Sequence, residues 1–308
     1  MSTLIEVSHL QKYYGKHLGV SDVSFKVQAG EVFGFLGSNG AGKSTTIRCL
    51  LGLIKPSGGQ ISLFGDRYSS LPKALNHIGY MPSEAQFYPS MKAKDVITLA
   101  AKAHKQDCSK EAERLCEILE VPLQKKISDL SLGNRKKVSI VCALQHQPEL
   151  LILDEPTSGL DPLMQERFFD LIKEACAKGA ACLLSSHVLS DIKNNCQRAA
   201  IIKSGRLLTV DSIENLTRSQ AKRVTIWKQG QESHFNFSGT GSELLTELAK
   251  QAPDDFLVEE PSLEDLFLHY YEEDKDDNIK AWTKRDDQGS VDLVNQRWIN
   301  LCRLYSAL

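Results

Sequence analysis

Gly37-Ser-Asn-Gly-Ala-Gly-Lys-Ser44 decides the fold, because it fits Gly-x4-Gly-Lys-Ser between an apolar run and a helical stripe. Upstream, Val32 to Leu36 is short, apolar and flanked by glycine, and it reads as a strand. Downstream, Ile47, Leu50, Leu51 and Ile54 recur at helical spacing, so the segment from Gly42 to Ile54 reads as a helix. A strand, a glycine-rich loop and a helix in this order make a phosphate-binding loop. The glycines let amide hydrogens and the helix N-terminus come close to phosphate oxygens. Gly37, Ser38, Asn39, Gly40, Ala41, Gly42 and Thr45 join that nucleotide-binding set. Lys43 is expected to reach the β and γ phosphates, and Ser44 to place its hydroxyl on Mg²⁺.

Working outward, Leu4 to Val7, Val23 to Val27 and Gln60 to Phe64 also read as strands. Residues from about Lys92 to Gln147 hold mostly helix formers, with breaks at Pro122 and around Gly133, which suggests a helical insertion within about 85–147. Leu150 to Leu153 and Ala180 to Leu184 are compact apolar runs on either side of a helical stretch, Leu163 to Cys176. That alternation implies a parallel sheet. Arg198 to Val210 reads as a hairpin around Ser204-Gly205.

Beyond it the character changes. Residues 219–273 suggest a small α+β unit, with strands at Val224 to Trp227 and His234 to Phe237 and helices at Ser242 to Lys250 and Ser262 to Tyr271. Residues 274–308 open on a charge cluster and end with Val291, Val294, Trp298, Leu301 and Tyr305 at helical spacing, so either a disordered tail or a docking helix fits.

The 308 residues, 42% hydrophobic and 25% charged, have the composition of a globular protein. A formal net charge of -2 provides no broad basic field, so no nucleic-acid partner is expected. The first residues lack a secretory signal pattern, and no run approaches the roughly 18 apolar residues of a membrane-spanning helix. The eight cysteines include no Cys-x-x-Cys pair and read as reduced thiols of a cytoplasmic protein.

Leu150-Leu-Ile-Leu-Asp154-Glu155 is an apolar strand ending in two carboxylates, which a buried strand delivers into the crevice at the carboxyl edge of a sheet. Asp154 is expected to hold Mg²⁺. Glu155 is expected to orient or deprotonate the attacking water. Ser131 and Gly133 precede a stretch, Arg135 to Leu144, that reads as a helix, so its N-terminus offers a second anion site. His187 follows an apolar run and arrives at the same edge as the two carboxylates.

Taken together, these motifs resemble those of the ABC ATPase family. Leu130-Ser-Leu-Gly-Asn134 is similar to the family signature Leu-Ser-Gly-Gly-Gln at Leu130, Ser131 and Gly133. It is followed in family order by Asp154-Glu-Pro-Thr-Ser-Gly-Leu-Asp161 and Ser185-Ser-His187, and the resemblance covers roughly residues 1–215. It implies that ATP is the nucleotide, that Tyr14 stacks on adenine, and that His187 contacts the γ phosphate. It also implies that Ser131, Leu132, Gly133 and Asn134 meet the ATP held by a second ATPase subunit, a further copy or a close paralogue, with Asp161 in the intervening loop.

Where the family usually has a metal-contacting, coupling glutamine, this chain has Ser83 with Glu84 beside it. Either Glu84 supplies the oxygen or water completes the shell. The implied fold is an α/β P-loop NTPase cassette over 1–218 with a mostly parallel sheet, an antiparallel β subdomain and a helical subdomain, followed by a small C-terminal α+β extension. The implied function is ATP hydrolysis driving transport through a separate permease chain at the cytoplasmic face of the membrane. Pro261-Ser-Leu-Glu-Asp-Leu-Phe267 resembles the C-terminal ending of ATPases serving exporters. The alternative is a soluble ABC ATPase of another kind, such as one in iron-sulfur cluster assembly.

Overall fold

The strand before the glycine loop, β3 (Val32–Leu36), lies inside a six-stranded sheet with β5 (Ile78–Met81), β6 (Leu150–Asp154), β7 (Ala181–Ser186), β8 (Arg198–Lys203) and β9 (Arg206–Ser212). The computed structural model describes residues 2–65, 67–84, 86–218, 222–237 and 239–259. The sheet order is β5-β6-β7-β3-β8-β9; all neighbours are parallel except β9, which turns back on β8. Every residue of β3, β6 and β7 is buried. That is why these strands appear in the sequence as unbroken apolar runs and not as alternating ones.

A second, antiparallel sheet is ordered β2 (His17–Gln28), β1 (Thr3–Tyr14), β4 (Gly58–Leu63). Its inner face closes on the parallel sheet through one hydrophobic core, in which Phe25 stacks on Phe33 with ring centroids 5.4 Å apart. Between the sheets runs α1 (Lys43–Leu50), whose Ile47 and Leu50 enter that core. Gly42 caps α1 at φ 110°, a conformation that side-chain-bearing residues rarely adopt. The helix is shorter than its apolar stripe suggested. Gly52, at φ 67°, reverses the chain before Ile54.

The helical insertion comprises α3 (Ala93–Ala103), α4 (Ser109–Ile118), a 3-10 turn at Ile127–Asp129 and α5 (Leu132–Leu144). Ser131 is the N-cap of α5 and accepts a hydrogen bond from the Asn134 amide, so the break expected around Gly133 is the helix start itself. Helix α6 (Pro162–Ala177) starts at Asp161, whose carboxylate accepts from the Met164 amide at 3.0 Å. The elements α2 (Leu71–Leu75), β5 and α7 (Leu189–Asn195) span five, four and seven residues, too few to display a period in the sequence.

After α8 (Ile213–Arg218) comes a three-stranded antiparallel sheet, β11 (Gln231–Phe237), β10 (Lys222–Lys228), β12 (Asp255–Glu259), in that order. Helix α9 (Gly241–Gln251) packs Leu244 and Leu248 on Val224 and Ile226, and a capping box between Thr240 and Glu243 starts it. Strand β12 carries mostly exposed side chains, which hid it from an apolar-pattern reading. The helix read at Ser262 to Tyr271, the Pro261–Phe267 motif and the tail at 274–308 lie outside the described residues. Among the described residues, no helix is long and apolar enough to cross a membrane. The seven described cysteines are free thiols, and burial pushes Cys116 and Cys176 up to about 11.

His104, at the end of α3, and His146, just after α5, stack with centroids 3.6 Å apart. His146 is buried, and its Nε2 faces the Ile78 carbonyl oxygen at 3.3 Å. Burial first, and then the neighbouring His104, lowers its pKa to about 4. The fold therefore favours the neutral ring, and the stabilisation is complete above the unfolded-state value of about 6.5 and disappears as pH falls through about 4. His146→Leu should flatten this dependence. In denaturant titrations, the stability of the wild type relative to the variant should fall by about 3 kcal/mol between pH 7 and pH 4; parallel curves would exclude a buried neutral His146.

Candidate active site

Three parallel strands bring the candidate residues to one edge. β3 runs into the glycine loop, β6 ends on Asp154 with Glu155 next, and β7 ends on Ser185 and Ser186 with His187 next. Leu36 pairs with Ser186 and Asp154 with Ser185, so the three carboxyl ends are level. Side chains leaving such an edge converge on a single crevice.

Asp154 is 2% exposed and accepts from Ser44 Oγ at 2.7 Å and from Ser185 Oγ at 2.5 Å. Each carboxylate oxygen thus has a hydroxyl donor, which offsets the desolvation of a buried acid. The adjacent Ser44 hydroxyl and Asp154 carboxylate are hard oxygen donors. They fit Mg²⁺, which takes one or two ligands from a protein and the rest from phosphate and water.

Lys43 is buried. Its Nζ donates to the carbonyl oxygens of Gly37 at 2.6 Å and Ser38 at 3.2 Å, and it lies 3.1 Å from Glu155 Oε1. The other oxygen of Glu155 is 2.7 Å from His187 Nδ1. Glu155 has φ 50°, and its amide donates to the Ser185 carbonyl oxygen at 3.1 Å. A left-handed residue other than glycine costs about 1–3 kcal/mol and persists only where its surroundings enforce it. The glycine loop is fastened from outside as well, since Gly205, in the β8–β9 turn, donates its amide to the Ala41 carbonyl oxygen at 2.9 Å.

Two further contacts hold the segments after Glu155 and His187. Thr157 Oγ1 donates to Asp191 Oδ2 at 2.6 Å, and Ser186 Oγ lies 3.4 Å from the same oxygen. Burial raises the Asp191 pKa, opposed by these hydroxyl bonds. Lys136, on α5, is 3% exposed and donates to the carbonyl oxygens of Ser83 and Glu155 at 2.7 Å each. Ser83 therefore enters this region through its backbone, while the Glu84 side chain is exposed.

The remaining candidates, Tyr14 and the segment from Ser131 to Asn134, lie on other elements. A Cβ added at Gly19 would lie 3.0 Å from Tyr14 Cε2 and 3.2 Å from Thr45 Cγ2, so Tyr14 sits beside the first turn of α1. Ser131 and Leu132 are exposed. A Cβ at Gly133 would fall 2.6 Å from the Gly159 carbonyl oxygen, so the start of α5 rests directly on the loop that leads to Asp161. Sequence reasoning does not reach Lys136, Thr157 or Asp191, because a lysine in a basic helix reads as solvated and the other two act only through a tertiary contact. Ser185 carries a weak signal, its place one strand over from Asp154.

The protein-family model described as ABC transporter matches residues 20–158. The chain is 38% identical over 251 residues to the bacitracin transport ATP-binding protein of Bacillus licheniformis, a match covering 77% of this chain and 81% of that one. It is 32% identical over 219 residues to the linearmycin resistance ATP-binding protein of Bacillus subtilis, covering 69% and 70% respectively. Among solved structures, an ATP binding subunit of an ABC transporter superposes with a TM-score of 0.65 at 34% identity, covering 70% of this chain and 92% of that chain.

The Thr157–Asp191 bond is buried on both sides. Thr157→Val keeps the shape of the side chain and removes the donor, leaving Asp191 with the longer contact to Ser186. The variant should lose about 2 kcal/mol of unfolding free energy in urea, and a change below about 0.5 kcal/mol would show that the bond contributes nothing net.

Proposed function

The chain belongs to the ABC transporter family of ATP-binding proteins, and on that footing we propose that it hydrolyses ATP through Lys43, Ser44, Asp154, Glu155 and His187 to drive export through a separate membrane permease. As a family member it is an ATP-binding, ATP-hydrolysing transporter subunit. Such subunits act with membrane permeases and as dimers. A non-transport role, such as iron-sulfur cluster assembly, is not favoured, because the relatives are transporter ATP-binding proteins. The export direction rests on the names of the relatives, one a bacitracin transport and the other a linearmycin resistance protein.

The observation that carries the chemical reading is the Glu155 carboxylate, set between Lys43 Nζ and His187 Nδ1 next to the Ser44–Asp154 pair. Phosphate oxygens of ATP would compete with Glu155 for Lys43, freeing Oε1 to face water. Glu155 then orients a water and accepts its proton as the water oxygen bonds to the γ phosphorus and the bond to the ADP oxygen breaks. Lys43 and the loop amides from Ser38 to Thr45 hold the phosphates, and His187 keeps Glu155 aimed while contacting the γ phosphate. Tyr14 stacks on adenine. Mg²⁺, held by Ser44 and Asp154, would neutralise phosphate charge.

Ser131, Leu132, Gly133 and Asn134 begin a 13-residue helix and include two exposed residues, which supports a second anion site for the ATP of a partner ATPase. Asp161 would lie in that interface. The permease would hold the pair at the cytoplasmic face of the membrane, with Ser83 and Glu84 in the coupling loop.

Glu155→Gln keeps the shape and removes the base. Steady-state hydrolysis should fall by about 10²–10⁴-fold while ATP binding persists; wild-type turnover would move the base to another residue. Ser131→Arg places bulk and charge at the start of α5. It should leave ATP binding by the monomer within about twofold and abolish turnover, whereas full activity from a monomer in size-exclusion chromatography coupled to an ATPase assay would remove the trans site.

A further inference from the structure

A lysine that is almost fully buried carries a desolvation cost of several kcal/mol, and methionine of similar length would fill the same space without it. Lys136 is such a lysine. Burial lowers its pKa, opposed by the nearby carboxylates of Asp154, Glu155 and Glu84. Packing alone thus gives no reason for an ammonium here, and the two carbonyls it reaches do. One belongs to Ser83, two residues beyond the end of β5, and the other to Glu155, in its left-handed turn.

We propose that Lys136 is a positioning residue for ATP hydrolysis: it clamps the Ser83 loop to the Glu155 turn, so that a displacement of that loop reorients the Glu155 carboxylate. The proposal rests on the reading of Glu155 as the base. Lys136 sits in the second turn of the helix that Ser131 caps, so it joins three segments at a single ammonium: α5, the loop after β5 and the end of β6. The two ends of the clamp are unequal. Glu155 O also accepts from Ser158 Oγ at 3.1 Å, so that turn keeps a donor if Lys136 is removed. Among the described residues, Ser83 O accepts from Lys136 alone. Loss of the ammonium should therefore loosen the Ser83 side first, and Glu155 would lose its link to the loop while retaining its local turn.

This asymmetry gives the test a readout that simple destabilisation would not produce. In the full-length protein, Lys136→Met should lower kcat by about tenfold or more and leave KM for ATP within about twofold. Hydrogen exchange should speed up at residues 83–88 while residues 132–144 remain protected. Lys136→Arg, which can still donate to two carbonyls, should recover most of kcat and the exchange rates of the wild type. If Lys136→Met does not fold, Lys136→Gln, too short to hold both carbonyls, should show the same pairing of lowered kcat and faster exchange at 83–88.

A kcat within about twofold of wild type in the Met or Gln variant overturns the proposal, as does a fall in kcat with unchanged exchange at 83–88. Failure of Glu155 as the base has a separate signature: Glu155→Gln would then turn over normally, whatever the Lys136 variants do.

Discussion

A carboxylate with almost no access to water has to be given hydrogen-bond donors by the fold, and in this chain that requirement ties the parallel sheet to the glycine loop. Asp154 ends the fully buried strand β6, and its two oxygens are taken by Ser185 from β7 and Ser44 from α1. Neither hydroxyl could reach it unless β3, β6 and β7 were parallel and in register, because only then do the loop after β3 and the ends of β6 and β7 meet at the same level. An unpaired acid at this depth would cost several kcal/mol. The same constraint that stabilises the fold therefore assembles two adjacent oxygen donors of the kind a hard cation takes.

Glu155 is held differently. It lies one residue past the strand, and its left-handed backbone turns the side chain away from the path an extended strand would follow. Its amide is held by Ser185, its carbonyl by Lys136 and Ser158, and its carboxylate lies between Lys43 and His187. Asp154 is thus fixed by burial within the sheet, and Glu155 by contacts from segments distant in sequence. Two neighbouring acids in one short motif are thus held by different means.

The fold was legible wherever burial is continuous. Val32–Leu36, Leu150–Leu153 and the glycine loop announce themselves because parallel strands covered on both faces leave uninterrupted apolar runs, and because a loop wrapped around phosphate needs glycine at fixed offsets. Legibility fails where an element is short or exposed. β5 has four residues, and β12 keeps only Val258 partly buried, so neither carries a period. In the site, the residues that belong to contiguous motifs could be read directly. Lys136 and Asp191 could not, nor could the part Thr157 plays within its motif, since the contacts that place them, Lys136 to Ser83 and Glu155 and Thr157 to Asp191, join segments distant in the chain.

The charge pattern around the two acids makes the missed lysine intelligible. Asp154 and Glu155 are neighbours in sequence, and two carboxylates so close in a poorly solvated crevice raise each other's energy unless cations stand nearby. Lys43 lies beside the Glu155 carboxylate and Lys136 donates to its carbonyl, so both lysines offset the charge of the same pair of acids. They are not equivalent. Lys43 is held by two carbonyls of the glycine loop and by the Glu155 carboxylate, whereas Lys136 is tied to the carbonyls of Ser83 and Glu155. Were phosphate to draw Lys43 away, Glu155 would still have Lys136 beside it, carried on the helix from Leu132 and tied to the loop after β5.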